Sequence, residues 1–260
     1  MSTVPLSSRW VHRRDLIRVL VQRDLKQLYK NSFLGMLWSV IHPLMQLAIY
    51  VFIFQWVLSL DVARYSSFAF TGVLAYTWFS TALSESTGVI KNNVDLIALP
   101  GFPVAMLPVV CVTTKWLNFV IALPLLMLVL WSDGVVFSSS LLMLPVLFVV
   151  QFGFILALAY VTSAVNVYVR DLQHVIGVLL QLYFFMTPIF YDLSAVPEAY
   201  QWIYTINPMV HLVDAYRAIL MDATMPDLTA LSVLAGLSAV LLALGLRVFH
   251  RARHRFLEEL

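Results

Sequence analysis

Long apolar stretches alternate along the chain with short polar connections. Six of them are predicted to be membrane-crossing helices, over 33–60, 66–84, 103–131, 141–167, 175–191 and 229–249. About 20 predominantly apolar helical residues cross the hydrocarbon core of a bilayer. The first and third runs are longer than needed. A helix over all of 33–60 would reach about 42 Å against a core of about 30 Å, so it must tilt, kink or protrude. Pro43 in the first run and Pro108 and Pro124 in the third are the expected kink sites. Thr187-Pro188 near the end of the fifth predicts a broken helix there.

Two segments outside these runs also show helical periodicity. Over 11–30, Ile17, Leu20, Val21, Leu25 and Leu28 share one arc, and Asp15, Arg23, Lys26 and Lys30 the opposite one, while Arg14, Arg18 and Asp24 interrupt the apolar side. A basic amphipathic helix beside a span is expected in the headgroup layer; a purely topogenic anchor is the alternative. Between spans five and six, 192–227 is too short for a separate domain and too apolar for a plain loop. It predicts two short interfacial or re-entrant helices, over 199–206 and 209–221, separated by Asn207-Pro208. Met209, Leu212, Val213, Tyr216, Ile219 and Leu220 recur at helical spacing in the second, and Asp192, Glu198 and Asp214 mark the wet side.

Composition strengthens this picture. Of 260 residues, 61% are hydrophobic and 12% charged, about half the charge that a soluble domain carries, so much of the surface faces lipid. The distribution of Lys and Arg orients the chain. Arg9, Arg13, Arg14, Arg18, Arg23, Lys26 and Lys30 precede the first span, Lys91 and Arg170 lie in the 85–102 and 168–174 connections, and Arg247, Arg251, Arg253 and Arg255 follow the last span. The other three connections hold only Arg64 and Arg217. Both termini are therefore expected to be cytoplasmic, with 1–32 a cytoplasmic segment bearing the interface helix, 33–249 a single six-helix domain and 250–260 a cytoplasmic tail. A bilayer, and not nucleic acid, is the expected surface partner. The first run is too long, and begins too far into the chain, for a cleaved signal peptide, and reads as a retained anchor.

Candidate chemistry is sparse. There is no Gly-rich phosphate loop, no His-Glu-x-x-His and no paired-cysteine metal site, so no catalytic residue, metal or cofactor is assigned to this chain. The one cysteine, Cys111, lies in an apolar run and reads as a small buried hydrophobe, and His42 as a hydrogen-bonded structural histidine. Lys115 and Asn118 are one turn apart within the third run. Intramembrane polar residues mark functional faces, so this pair lines a hydrated path or, alternatively, Lys115 snorkels to the surface. Aromatic residues cluster late in the first run (Tyr50, Phe52, Phe54, Trp56) and the fifth (Tyr183, Phe184, Phe185, Phe190, Tyr191). They form either an interfacial belt or a stacking surface for sugar rings.

Several motifs then occur in a set order. Arg23-Asp24-Leu25-Lys26, Tyr29-Lys30-x-Ser32-x-Leu34-Gly35-x-Leu37-Trp38 and Pro43-Leu44 come first. They are followed by Asn93-x-Asp95-Leu96-Ile97, Phe102-Pro103 and Leu107-Pro108, and then by Arg170-Asp171-Leu172, Gln181, Phe184-Phe185 and Thr187-Pro188-Ile189-x-Tyr191. Val196-Pro197 and Asn207-Pro208 through Arg217 complete the set. Together they resemble the ABC-transporter permeases that export polysaccharides such as O antigen, capsule or teichoic acid, over nearly the whole chain. The resemblance implies a bacterial inner-membrane permease that works as a homodimer with two copies of a cytoplasmic ATPase, which would hold ATP and Mg. Arg23, Lys26 and Lys30 would meet the pyrophosphate of a polyprenyl-linked polysaccharide. A coupling helix around Lys91, Asn92, Asn93, Asp95 and Leu96 would dock on the ATPase, with a second contact at Arg170 and Asp171. Tyr50, Phe54, Trp56, Tyr183, Phe185 and Tyr191 would line a channel at the dimer interface, and the two short outer helices would gate it. One departure stands out: 99–105 carries no charge where such permeases often place a basic residue before Phe-Pro and one or two charged residues after it, and Pro100-Gly101 implies a sharper turn.

Two other classes remain in view. An ABC permease for a drug or lipid would share the architecture. A membrane-embedded enzyme acting on lipid-linked sugars would need paired acids near the membrane surface, and the sequence offers none.

Overall fold

In a computed structural model, residues 6–29, 37–59, 62–253 and 256 are described. They form a helical bundle with no strand among them. The elements are α1 (Leu6–Tyr29), α2 (Trp38–Tyr50), α3 (Tyr65–Gly88), α4 (Val94–Ile97), α5 (Met106–Ser132), α6 (Leu144–Tyr168), α7 (Leu172–Phe185), α8 (Glu198–Ile206), α9 (Pro208–Leu220) and α10 (Leu228–Ala252).

Four helical runs are long and apolar enough to cross a membrane: Val40–Val57, Met106–Ser132, Ser139–Tyr168 and Leu228–Ala252. The fifth predicted span yields α7, apolar but only 14 residues long. Its early stop has a local cause. Thr187 precedes Pro188, which disfavours helical backbone, and the Thr187 hydroxyl folds back onto the Tyr183 carbonyl at 2.9 Å. The second predicted span yields α3, which runs on to Gly88. It has the length, but its many Ser and Thr residues keep its hydropathy below that of the four. Several of its hydroxyls bond within the helix, which lowers the cost of their burial: Thr81 to Thr77 O at 2.7 Å, Thr87 to Leu83 O at 2.8 Å and Ser86 to Leu83 O at 3.1 Å. Pro43 stands in the second turn of α2, which continues beyond Tyr50 as a π-helical stretch, Val51–Val57. Such widened turns frequently mark functional positions.

α3 is the central column, packed against α2, α5, α6, α7 and α9, and α10 lies along α6. Gly245 of α10 permits that approach: a Cβ there would sit 2.8 Å from the Ala157 carbonyl oxygen. The largest hydrophobic core runs through α3, α5, α6 and α9, around Trp78, Phe70, Leu126, Leu147 and Tyr216. Gln151, buried inside it, is paired: it donates to Ala75 O at 2.9 Å and accepts from the Tyr216 hydroxyl at 2.8 Å.

The two ends of the bundle differ. At one, a second core (Ile90, Ile97, Leu107, Tyr160, Val167, Phe249, Phe256) joins the ends of α3, α6 and α10 to α4 and the start of α5. At the other, α8 and α9 fold back onto the bundle, within a residue of the predicted limits. Asn207 caps α9 by accepting from Met209 N at 2.9 Å, with Pro208 at the first helical position.

Candidate functional site

The structure gathers the sequence-derived residues into three places. The first is the end that carries α1. The apolar face of α1 docks through Leu20 and Val21 onto Val110 of α5, with Leu96 and Phe102 alongside. Lys91–Asn93 form a tight turn that leads into α4. Arg23 does not point away from this turn. Its guanidinium is bonded to Asp24 at 2.7 and 2.9 Å and donates to Asn93 Oδ1 at 3.0 Å, while Asn93 Nδ2 donates to Val89 O at 2.9 Å. Lys26, Asn92 and Asp95 are exposed, and Lys91 and Leu96 half-buried. Lys30 lies outside the described residues. Arg170 and Asp171 are exposed in the turn between α6 and α7. That turn is tied to the α4 region because Gln173 packs on Gly88: a Cβ at Gly88 would lie 2.5 Å from Gln173 Oε1. The two predicted ATPase contacts therefore share one end of the bundle.

The second place is a groove of 520 Å³ between α2, α3 and α7, lined by His42, Gln46 and Tyr50, by Thr77, Ser80, Thr81, Ser84 and Glu85, and by Gln181, Phe184 and Phe185. A neighbouring cavity of 420 Å³ shares His42, Thr77 and Thr81 and adds Trp38, Lys115 and Asn118. Lys115 is 8% exposed and is ion-paired to Glu85, whose side chain is 53% exposed. Its charge is thus met inside the bundle. Sequence spacing does not single out Glu85, the first residue of the 85–102 connection. The four-residue run of α3 past the predicted end of its span carries Glu85 to Lys115. The hydroxyl face of α3 was legible as i, i+3, i+4 spacing (Thr77, Ser80, Thr81, Ser84), but the apolar residues between obscured it.

The aromatic residues divide. Tyr50, Phe54, Tyr76, Phe184 and Phe190 form one packed cluster, with Tyr50 and Phe190 centroids 4.4 Å apart and Phe54 stacked on Phe190 at 4.8 Å. Tyr50 and Phe185 face the groove. Trp56, 71% exposed, and Phe185, 60% exposed, stand on the outer surface of the protomer. Tyr183 does not line the groove. Its ring packs on Phe79 and Tyr76, and its hydroxyl donates to Asn207 Oδ1, which fastens α7 to α9. Tyr191 is bonded to Tyr204 of α8 at 2.9 Å and borders a separate outer pocket.

The third place is the junction under α9. Arg217, 7% exposed, stacks on the Phe68 ring with Cζ 3.4 Å from its centroid. It donates to Ile189 O at 3.1 Å and Phe68 O at 3.4 Å, and meets Asp214 at 3.7 Å. Burial pulls its pKa down to about 10, so it stays charged at neutral pH. Among the described residues no three His, Cys, Asp or Glu side chains converge as a metal site.

A family profile described as ABC-2 type transporter matches residues 15–221. The chain belongs to that family, and its apolar helices make it a multi-pass membrane protein. It is similar over 95% of its length to an O-antigen export system permease protein of Myxococcus xanthus, 37% identical over 249 residues and 96% of that protein. An O-antigen export system permease protein of Klebsiella pneumoniae is 31% identical over 245 residues, 94% of each chain. A polysialic acid transport protein of Escherichia coli is 25% identical over 238 residues, 90% of this chain and 92% of that one.

Proposed function

We propose that this chain is the permease subunit of an ATP-driven exporter that moves a polyprenyl-pyrophosphate-linked polysaccharide of the O-antigen kind across the inner membrane. The observation that carries the reading is the groove between α2, α3 and α7, with aromatic rings along one side and hydroxyls and amides along the other. Sugar rings present apolar C–H faces and polar edges. Such a wall holds them weakly and repeatedly without fixing one linkage, which suits a sliding polymer. The groove lies open beside exposed apolar side chains of α2 and α7, among them Met45, Ile49, Trp56, Val178, Leu182 and Phe185. A second copy of the chain, brought against these faces, closes the groove into a channel.

α2, α3, α5, α6, α7 and α10 are the six crossings, with both termini in the cytoplasm. α8 and α9 are the outer gate. The turn at 91–97 is the coupling helix, docking with Arg170 and Asp171 on an ATPase that holds ATP and Mg. Lys26, exposed on α1, attracts the substrate pyrophosphate, with Arg23 and Lys30 as the neighbouring cations in the sequence. The similarity to two O-antigen export permeases and a polysialic acid transporter favours a long glycan over a drug or single lipid. The test is affinity purification of the tagged chain from gently solubilised native membranes, with bound proteins identified by mass spectrometry. An ATPase in near-equal amount is the expected result. Its absence, under conditions that keep other ABC exporters intact, overturns the reading.

A further inference from the structure

A pocket away from the groove lies where α1, the 102–109 segment, α6 and α10 meet. Its volume is 640 Å³, within the range of small-ligand sites. Three basic side chains border it: Arg14 from α1, His250 from α10 and Arg253 just past the end of α10. Its walls are apolar, with Ile17, Phe102, Val104, Met106 and Val109. The wall hydroxyl of Tyr160 is already committed, donating to Ala105 O at 2.8 Å. The cavity exists because the chain between α4 and α5 is non-helical around Phe102-Pro103 and does not fill the space between α1 and α10. From Val109, the half-buried Trp116 and Val120 continue at helical spacing along α5, a strip that an acyl chain can follow.

We infer that this pocket binds the headgroup phosphate of an acidic phospholipid of the surrounding leaflet. The charge and the walls agree on such a molecule: cations gathered from the two ends of the sequence suit a phosphate, and an apolar floor suits the glyceride carbons beneath it. Basic pockets between membrane helices on the cytoplasmic side recognise anionic headgroups in this way. No residue of α2 or α7 borders the pocket, so it is separate from the aromatic groove and a resident lipid fits it better than the transported one. The lipid would join α1 to α10 and so brace the interface helix against the far end of the chain.

The test is a lipid titration of the full-length chain in mild detergent, read by native mass spectrometry. Phosphatidylglycerol should bind at one tight site per chain with clear preference over phosphatidylcholine. The Arg14→Gln/Arg253→Gln double variant should lose about thirtyfold in phosphatidylglycerol affinity, as expected for two cations beside a membrane phosphate. Arg247→Gln, on the same helix but outside the pocket, should keep it. Equal binding of the two lipids, or undiminished binding by the double variant, overturns the assignment. A photoactivatable phosphatidylglycerol on the unaltered chain guards against misfolding of the variant. Label in 102–109 or 248–253 supports the site, and label confined elsewhere refutes it. Displacement of that label by polyprenyl pyrophosphate in preference to phosphatidylglycerol would give the pocket to the transported lipid and overturn the phospholipid assignment. None of these outcomes depends on what the protein exports.

Discussion

Two buried cations illustrate how the environment, and not the residue type, sets a side chain's task. Lys115 is enclosed and Glu85 is half open to the groove. Removing either breaks the same ion pair, but only one removal strands a buried charge. Glu85→Gln leaves an ammonium in an apolar bundle, at a cost of about 3 kcal/mol. Lys115→Met leaves a carboxylate that still reaches solvent. Glu85→Gln should therefore lower the thermal midpoint in detergent more than Lys115→Met does, and the double variant should recover most of the loss; equal losses from the two single changes would count against the burial asymmetry. Arg217 plays a different part. Its planar guanidinium stacks on Phe68 while reaching two carbonyls, a combination that lysine cannot reproduce. Arg217→Lys should loosen the α9 junction, seen as faster protease cleavage between residues 186 and 198 in sealed spheroplasts. Unchanged cleavage would mean that the charge alone suffices.

At the scale of elements, most of what periodicity could reveal was legible. α8 and α9 fell nearly where the spacing of Met209, Leu212, Tyr216 and Leu220 placed them, because Asn207-Pro208 is both a stop and a start signal. The long apolar runs were equally plain. Less visible were features that depend on contact between distant residues: the docking of α1 on the 91–102 segment, the bond from Arg23 to Asn93, and the pairing of Glu85 with Lys115. One-dimensional spacing does not encode a partner 30 or 70 positions away. The Arg23–Asn93 bond gives α1 a mechanical role. Together with the apolar contacts of Leu20, Val21 and Leu96 it ties α1 to the 91–97 turn, so that the proposed interface and coupling elements would move as one body. Arg23→Ala should leave basal ATP hydrolysis by the assembled exporter intact while cutting its stimulation by lipid-linked glycan several-fold, and unchanged stimulation would show that the two elements work independently. Asp95→Ala with Leu96→Ala should go further and abolish export while the protein still inserts; normal export would remove the coupling assignment.

At the scale of the whole molecule, the proposed function makes one chain half of a conduit. Its best-packed core lies around α3, and its largest apolar exposure lies along α2, the π-helical stretch and α7, beside the groove that the glycan is proposed to follow. With Cys111 buried, an introduced cysteine is the reactive thiol of choice. Phe185→Cys, placed on the exposed α7 face, should cross-link two copies in native membranes, whereas a monomer band alone would mean that this face meets lipid. Alanine at Tyr50 and Phe185 should slow export without changing the amount of protein in the membrane. Glycan export itself is tested by deletion of the gene followed by localisation of the cell's polysaccharide. Lipid-linked polymer should accumulate in the cytoplasm, with none at the surface until the gene is restored. A normal surface polysaccharide in the deletion strain would rule out a role for this chain in its export.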